Sequence, residues 1–316
     1  MVDTEDVQQY STKFQNQLEK LAASDIPEAD RRAIKACIDE LRADADIGTG
    51  TLVGHLNRLR LSAERADTPL TEMDKADYTA FLTALETEYD LSEGTRRNYR
   101  KALKKLMEYR EVEWLDEITI GVAPDRTVDP NDLLSMEEID AMIDAATHTR
   151  DKALLAAIAD SGLRISAVTS LRKRDFQRRS GEGAIVTPNT DAPVKDATDP
   201  VPLTWSAGYV ANWLDVHPRD DPDAALFHKL EHVGEDEDGA LTYQYAARRI
   251  KRIADDAGID RERVTTHAFR KSAISRWIRE GLPEQVIKHR ASWAEDSGQF
   301  EIYYGERRDH ERGLVE

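Results

Sequence analysis

The sequence predicts a mainly α-helical protein of two domains, the second of which also carries a small antiparallel sheet. Three observations lead there. Apolar residues recur near helical spacing in five successive segments within residues 6–114. A stretch over 115–131 follows, with Gly121, Pro124 and Pro130 set among Asp and Thr, and it reads as a linker. Beyond it, residues 132–316 mix helical segments with two short β-patterned runs.

The first domain is read as helices only, over Val7–Ala23, Glu28–Arg42, Gly50–Glu64, Lys75–Tyr89 and Ser92–Glu111. In the last of these Tyr99, Leu103, Leu106 and Met107 form one apolar stripe, and Ser92 is placed to cap the helix with Glu93 in its first turn. Arg96, Arg97, Arg100, Lys101, Lys104 and Lys105 surround that stripe, either as a solvated face or as a face turned to DNA. After the linker, Ser135 and Glu138 fit a capping box at the start of an amphipathic helix. The apolar run Arg150–Asp160 predicts a buried helix that stops at Gly162. Arg164 then stands at a tight turn before a short helix carrying Ile165, Val168 and Leu171, as a buried ion-pair partner or as an anion ligand. AIVTPN and DPVPLT, between Gly183 and Thr204, read as two strands, with Lys195 in their connection. Ala207–Trp213 and the basic segment Tyr243–Asp256, with Arg248, Arg249 and Arg252, are predicted helices. VHPRDDPD reads as turns.

The chain has 316 residues, enough for two cores. It contains no apolar run of about 18 residues, so no membrane span is expected, and its acidic, polar start is unlike a signal peptide. Cys37 is the only cysteine, which excludes an internal disulfide and a multi-cysteine zinc site. A cytoplasmic protein is expected. His228 and His232 are four apart but no third metal ligand is apparent, and neither a P-loop nor a dinucleotide fingerprint is present; no metal and no cofactor are expected. The net charge of −17 argues against a nucleic-acid partner, but its distribution argues back. Leu241–Arg290 carries a net +6, and Gly162–Ser180 and Ser92–Arg110 carry +5 each, whereas Trp213–Ala240 carries −7 and Met1–Gly50 −5. Arg outnumbers Lys 30 to 14, and an acidic, lysine-poor chain suggests a high-salt cytoplasm, where repulsion is screened within about 3 Å at 1 M salt.

The stretch Thr265–Tyr304 concentrates the chemistry. His267 and Arg270 are one helical turn apart and can share a face. Arg presents a fork of donors suited to phosphate oxygens and His a further donor, and a tyrosine beside them, Tyr303 or Tyr304, is a candidate nucleophile toward phosphorus. Taken one at a time, each residue also has a plain structural reading: a helix cap, a surface ion pair, packing rings, a solvated loop lysine.

Together, these residues resemble the tyrosine recombinase (phage integrase) family. SGLRISAVTSLRKRDF is similar to its first arginine box, with Arg164 in the arginine position, and HAFRKSAISRW to its second, with His267 and Arg270 in the HxxR positions. SWAEDSGQFEIYY is similar to its last box, with Trp293 in the His-or-Trp position, and the Lys195 connection matches its β-hairpin lysine. The resemblance runs from about Val7 to Tyr304. It implies an N-terminal helical core-binding (SAM-like) domain over 6–114, a linker over 115–131 and a mixed α+β catalytic domain over 132–316. It further implies a clamp on double-stranded DNA and a homotetramer on paired sites. Two positions depart from the pattern: Ala167 stands where an acidic residue is common, which bears on catalytic rate, and the Trp-to-Tyr interval is one residue longer than usual, which leaves Tyr303 favoured over Tyr304.

The implied reaction is cleavage and rejoining of DNA. Tyr303 attacks and forms a 3′-phosphotyrosyl link, freeing a 5′-hydroxyl. Arg164 and Arg270 hold the phosphate oxygens. His267 hydrogen-bonds the phosphate or accepts the tyrosine proton, Lys195 protonates the leaving oxygen, and Trp293 donates its indole N–H and packs the site. Because the protein–DNA link conserves the bond energy, neither ATP nor a metal is required. Arg96, Arg97, Arg100, Lys101, Lys104, Arg172, Arg174, Arg248, Arg249 and Arg252 are the candidate DNA contacts. A catalytically impaired DNA-binding protein of the same fold, supported by Ala167, is the first alternative; an acidic helical interaction protein without a DNA role is the second.

Overall fold

The computed structural model describes residues 10–43, 47–121, 128–179, 181, 183–188, 199–230 and 239–303. They divide into two compact units, within Gln9–Asp125 and within Arg126–Glu316.

The first unit is made of α1 (Tyr10–Ala23), α2 (Glu28–Ala43), α3 (Thr49–Arg65), α4 (Lys75–Thr87) and α5 (Glu93–Tyr109). Their apolar stripes meet in one core, where Ile34, Ile38, Leu56, Leu59, Leu103 and Leu106 are almost fully buried. Caps decide where the helices begin. Asp74 and Asp77 form a reciprocal capping box on α4, and the Ser92 hydroxyl accepts from Thr95 N on α5. The α3–α4 loop is pinned from beneath: buried Asp30 accepts from Leu70 N, Thr71 N and the Thr71 hydroxyl, and Arg110 donates to the carbonyls of Leu70, Thr71 and Met73. Burial pushes the Cys37 thiol up to about 12, so it is an inert core residue.

The second unit contains α6 (Met136–Ala145), α7 (Thr149–Ser161), α8 (Ile165–Ser170), a three-stranded sheet, α9 (Ala207–Leu214), α10 (Tyr243–Asp256), α11 (Thr266–Arg279) and α12 (Glu284–Arg290). Ser135 and Glu138 form the capping box of α6. Helix α7 is buried along its length and is packed by α6, α9, α11 and the last strand. It ends at Gly162, whose φ of +62° is the left-handed cap that a glycine adopts without strain. Strands β2 (Ala184–Val186) and β3 (Val201–Leu203) pair antiparallel, as their patterning predicts, and β1 (Phe176–Arg178), which the sequence did not reveal, pairs with β2 to complete the order β1-β2-β3. No helix among the described residues is long and apolar enough to cross a membrane.

Candidate active site

The site is built on the ends of α8, α11 and α12. Arg164 is the N-cap residue of α8, two residues beyond the glycine that closes α7. His267 and Arg270 stand in the first two turns of α11, whose N-cap, Thr265, accepts from Ala268 N. Trp293 follows α12, and Tyr303 lies on a helical segment over 299–303.

Arg270 is buried, with a 3% exposure, and two backbone carbonyls fix its guanidinium. Nη1 donates to Gly162 O at 2.8 Å and Nη2 donates to Ala291 O. Its Cζ lies 6.0 Å from the centre of the Trp293 ring, and that ring lies 5.5 Å from the Tyr303 ring at a 39° tilt. Tyr303 is itself buried. Arg164 is close enough to influence the titration of both His267 and Tyr303, as is Arg270. The chain therefore brings Arg164, His267, Arg270, Trp293 and Tyr303 into one neighbourhood, although 139 positions separate the first from the last.

The electrostatics divide two roles. Burial raises the Tyr303 pKa, against the opposing pull of Arg270 and Arg164, so the phenol keeps its proton at neutral pH. His267 reaches solvent at its rim, yet the protein packed against its inner side lowers its pKa, and Arg270, Lys271 and Arg164 lower it further. It is thus a neutral imidazole able to accept a proton or a hydrogen bond. Ala167 is buried on α8 and supplies no carboxylate. Lys195 and Tyr304 lie outside the described residues.

The turn after β3 is anchored to the end of α7, four residues before Arg164. Buried Asp160 accepts from Thr204 N at 2.6 Å, the Thr204 hydroxyl at 2.7 Å, Ser206 N at 3.0 Å and the Ser206 hydroxyl at 2.8 Å. The sequence reading took Asp160 only as the end of an apolar helix. A polar residue closing an otherwise buried run was the available signal.

The candidate DNA contacts fall into two groups. Arg96 is paired with Glu86 and Glu93, Arg100 with Glu93, and Arg174 with Asp223. Arg249 gives Nε to buried Asp151, which Arg150 also holds, so Arg249 completes an internal ion network. Glu93 shares α5 with Arg96 and Arg100, whereas Glu86 comes from α4, Asp223 from the loop after α9 and Asp151 from α7. Lys101, Arg248 and Arg252 are exposed. Arg97 and Lys104 approach the carbonyls of Gly121 and Ile118, and Arg172 that of Asp223. His228, read above as half of a weak metal pair, is buried with Nδ1 donating to Lys229 O, and His232 lies outside the described residues.

Known proteins share this architecture. A profile of the phage integrase family matches residues 132–310. Tyrosine recombinase XerD of Yersinia pestis is 26% identical over 278 residues, spanning 82% of this chain and 88% of that protein. Among solved structures, XerH site-specific recombinase bound to a palindromic difH substrate, a post-cleavage complex, superposes with a TM-score of 0.63 at 18% identity, covering 99% of this chain and 96% of that one. A lambda integrase tetramer bound to a Holliday junction gives 0.62 at 12% identity, over 86% and 76%.

Proposed function

The chain belongs to the phage integrase family and is a tyrosine recombinase, an enzyme of site-specific recombination, and we propose that it cleaves and rejoins double-stranded DNA with Tyr303 as nucleophile. The observation that carries this reading is the buried Tyr303 ring tilted against Trp293, which lies next to the fixed Arg270 guanidinium.

The Tyr303 oxygen attacks the scissile phosphorus and forms a 3′-phosphotyrosyl bond as the bond to the 5′-oxygen breaks. The phenol proton passes to neutral His267, and Lys195 delivers a proton to the departing 5′-oxygen. Arg164 and Arg270 hold the non-bridging oxygens as charge builds on them, and Trp293 closes the site. Rejoining is the reverse, with a 5′-hydroxyl as nucleophile. Arg97, Lys101, Lys104, Arg248 and Arg252 are the better candidates for DNA contacts, since Arg96, Arg100, Arg174 and Arg249 answer to carboxylates. By analogy with the lambda integrase complex, four copies on paired sites form the working assembly. The acidic excess supports work in a high-salt cytoplasm, and adduct formation persisting in about 1 M KCl tests that part of the reading.

The test of the function is a nicked suicide DNA, in which the released fragment diffuses away and traps the intermediate. A covalent protein–DNA band is expected. Lys195→Ala should slow the band's appearance while leaving binding nearly intact; equal loss of both would limit Lys195 to holding phosphate. No band at any salt would leave the protein a DNA binder that has lost its chemistry.

A further inference from the structure

Arg290 is a buried cation that the reaction above does not use. It is 8% exposed, and its Nε and Nη2 have no hydrogen-bond partner among the described residues. Burial and nearby Arg276 oppose its charge, while Asp160 and Glu280 favour it. A charge held dry with unpaired donors costs stability, so its retention calls for another account.

Its guanidinium lies over the Trp277 ring, 4.4 Å from the centroid. The edge of that ring abuts Gly162: a Cβ there would fall 2.6 Å from Trp277 Cη2. Gly162 carries the carbonyl that accepts from Arg270 Nη1, and Ala291, the residue after Arg290, carries the one that accepts from Nη2. Trp277 is seven residues after Arg270 on α11, two turns along the same side. The Trp277 ring is thus placed between the chain segments that present the two carbonyls.

We propose that Trp277 and Arg290 are positioning residues for Arg270, a wedge that sets the spacing of the Gly162 and Ala291 carbonyls and so aims the guanidinium at the scissile phosphate. This rests on the reading of Arg270 as a phosphate ligand. Stacking by the planar guanidinium orients the Trp277 ring, and the ring holds Gly162 in place. Displacement of a catalytic group by about 1 Å costs on the order of 100-fold in rate, so a small slackening of the wedge is amplified at the phosphate.

The test uses the full chain and a suicide substrate, with adduct formation measured in a single turnover at saturating protein. Arg290→Met, which keeps length but loses the charged plane, should slow adduct formation by about 10- to 100-fold. DNA affinity should hold within about twofold, since the change removes no ground-state contact to DNA. Trp277→Phe, a milder change that serves if Arg290→Met fails to fold, should slow it in the same direction. The decisive arm is the pair with Arg270→Ala. If Arg290 acts through Arg270, adding Arg290→Met to Arg270→Ala should cost nothing further. The same loss in both backgrounds, or full rate in both single variants, overturns the proposal. A wild-type chain that forms no adduct, or an Arg270→Ala variant as fast as wild type, would instead fail the reading of the site itself.

Discussion

Tyr303 and His267 depart from their ordinary titration in opposite directions, which sets the resting site with the proton on the phenol and off the imidazole, and makes the transfer between them uphill until phosphorus takes up the phenolate oxygen. Burial holds the proton on the phenol, and the protein packed on one side of exposed His267, with three nearby cations, keeps it off the imidazole. Adduct formation at saturating DNA should therefore be flat near pH 7 and fall on the acid side with a midpoint below the ordinary histidine value of 6.5; His267→Ala should remove that limb. The linkage to stability has the same sign. With the folded pKa lowered, the unfolded chain takes up the proton first, so the contribution of His267 is complete above 6.5 and is lost as pH falls toward the folded value. Ser292 makes a separate case. It is buried, its φ is +50° and its hydroxyl has no partner among the described residues. Ser292→Gly should raise the urea midpoint, corresponding to about 1 kcal/mol of added stability, because glycine takes this conformation without a Cβ clash. Ser292→Ala keeps the strain and should gain less; equal gains would assign the effect to the hydroxyl alone. The candidate site residues came forward in the sequence through the spacing of His267 and Arg270 and the order of the boxes. What fixes Arg270 was not legible: its partners are backbone carbonyls 108 and 21 positions away, and a carbonyl leaves no trace in residue identity.

At the scale of elements, helices were the most legible part, because period and cap coincide. Tyr243–Asp256 was read with the bounds it has, and the Ser135–Glu138 box starts α6 as read. Strand β1 was missed for a physical reason. Phe176–Arg178 is three residues long in a basic run, and only its pairing with β2 makes it a strand. The sheet is joined to the site by one side chain, Asp160, which takes four hydrogen bonds from the Thr204–Ser206 turn after β3. Asp160→Ala strands those donors in a buried setting and should cost about 3 kcal/mol in a denaturant melt. It should also slow cleavage more than it weakens DNA binding, since Arg164 caps α8 four residues after Asp160, just beyond the end of α7. A variant as stable as wild type would mean that water satisfies the turn without the carboxylate.

For the whole molecule, charge is distributed rather than summed. A net −17 coexists with three basic segments, but several of their arginines are already neutralised at home. Log affinity for DNA against log salt should therefore have a negative slope shallower than about −9, the value for ten phosphate contacts. A flat line in filter binding would favour the acidic interaction protein instead. The division between the two units falls within the stretch bearing Gly121, Pro124 and Pro130, whereas the ion pairs of Arg96 and Arg249 depend on which acids folding brings beside them. One tyrosine of an adjacent pair is proposed to carry the chemistry, and a suicide-substrate assay with Tyr303→Phe beside Tyr304→Phe tells the two apart. Phenylalanine keeps the ring tilted against Trp293 and removes only the oxygen. Tyr303→Phe should bind DNA like wild type and form no covalent adduct, while Tyr304→Phe should form one. An adduct that survives in Tyr303→Phe and vanishes in Tyr304→Phe would move the nucleophile by one position, and an adduct in both would contradict the account.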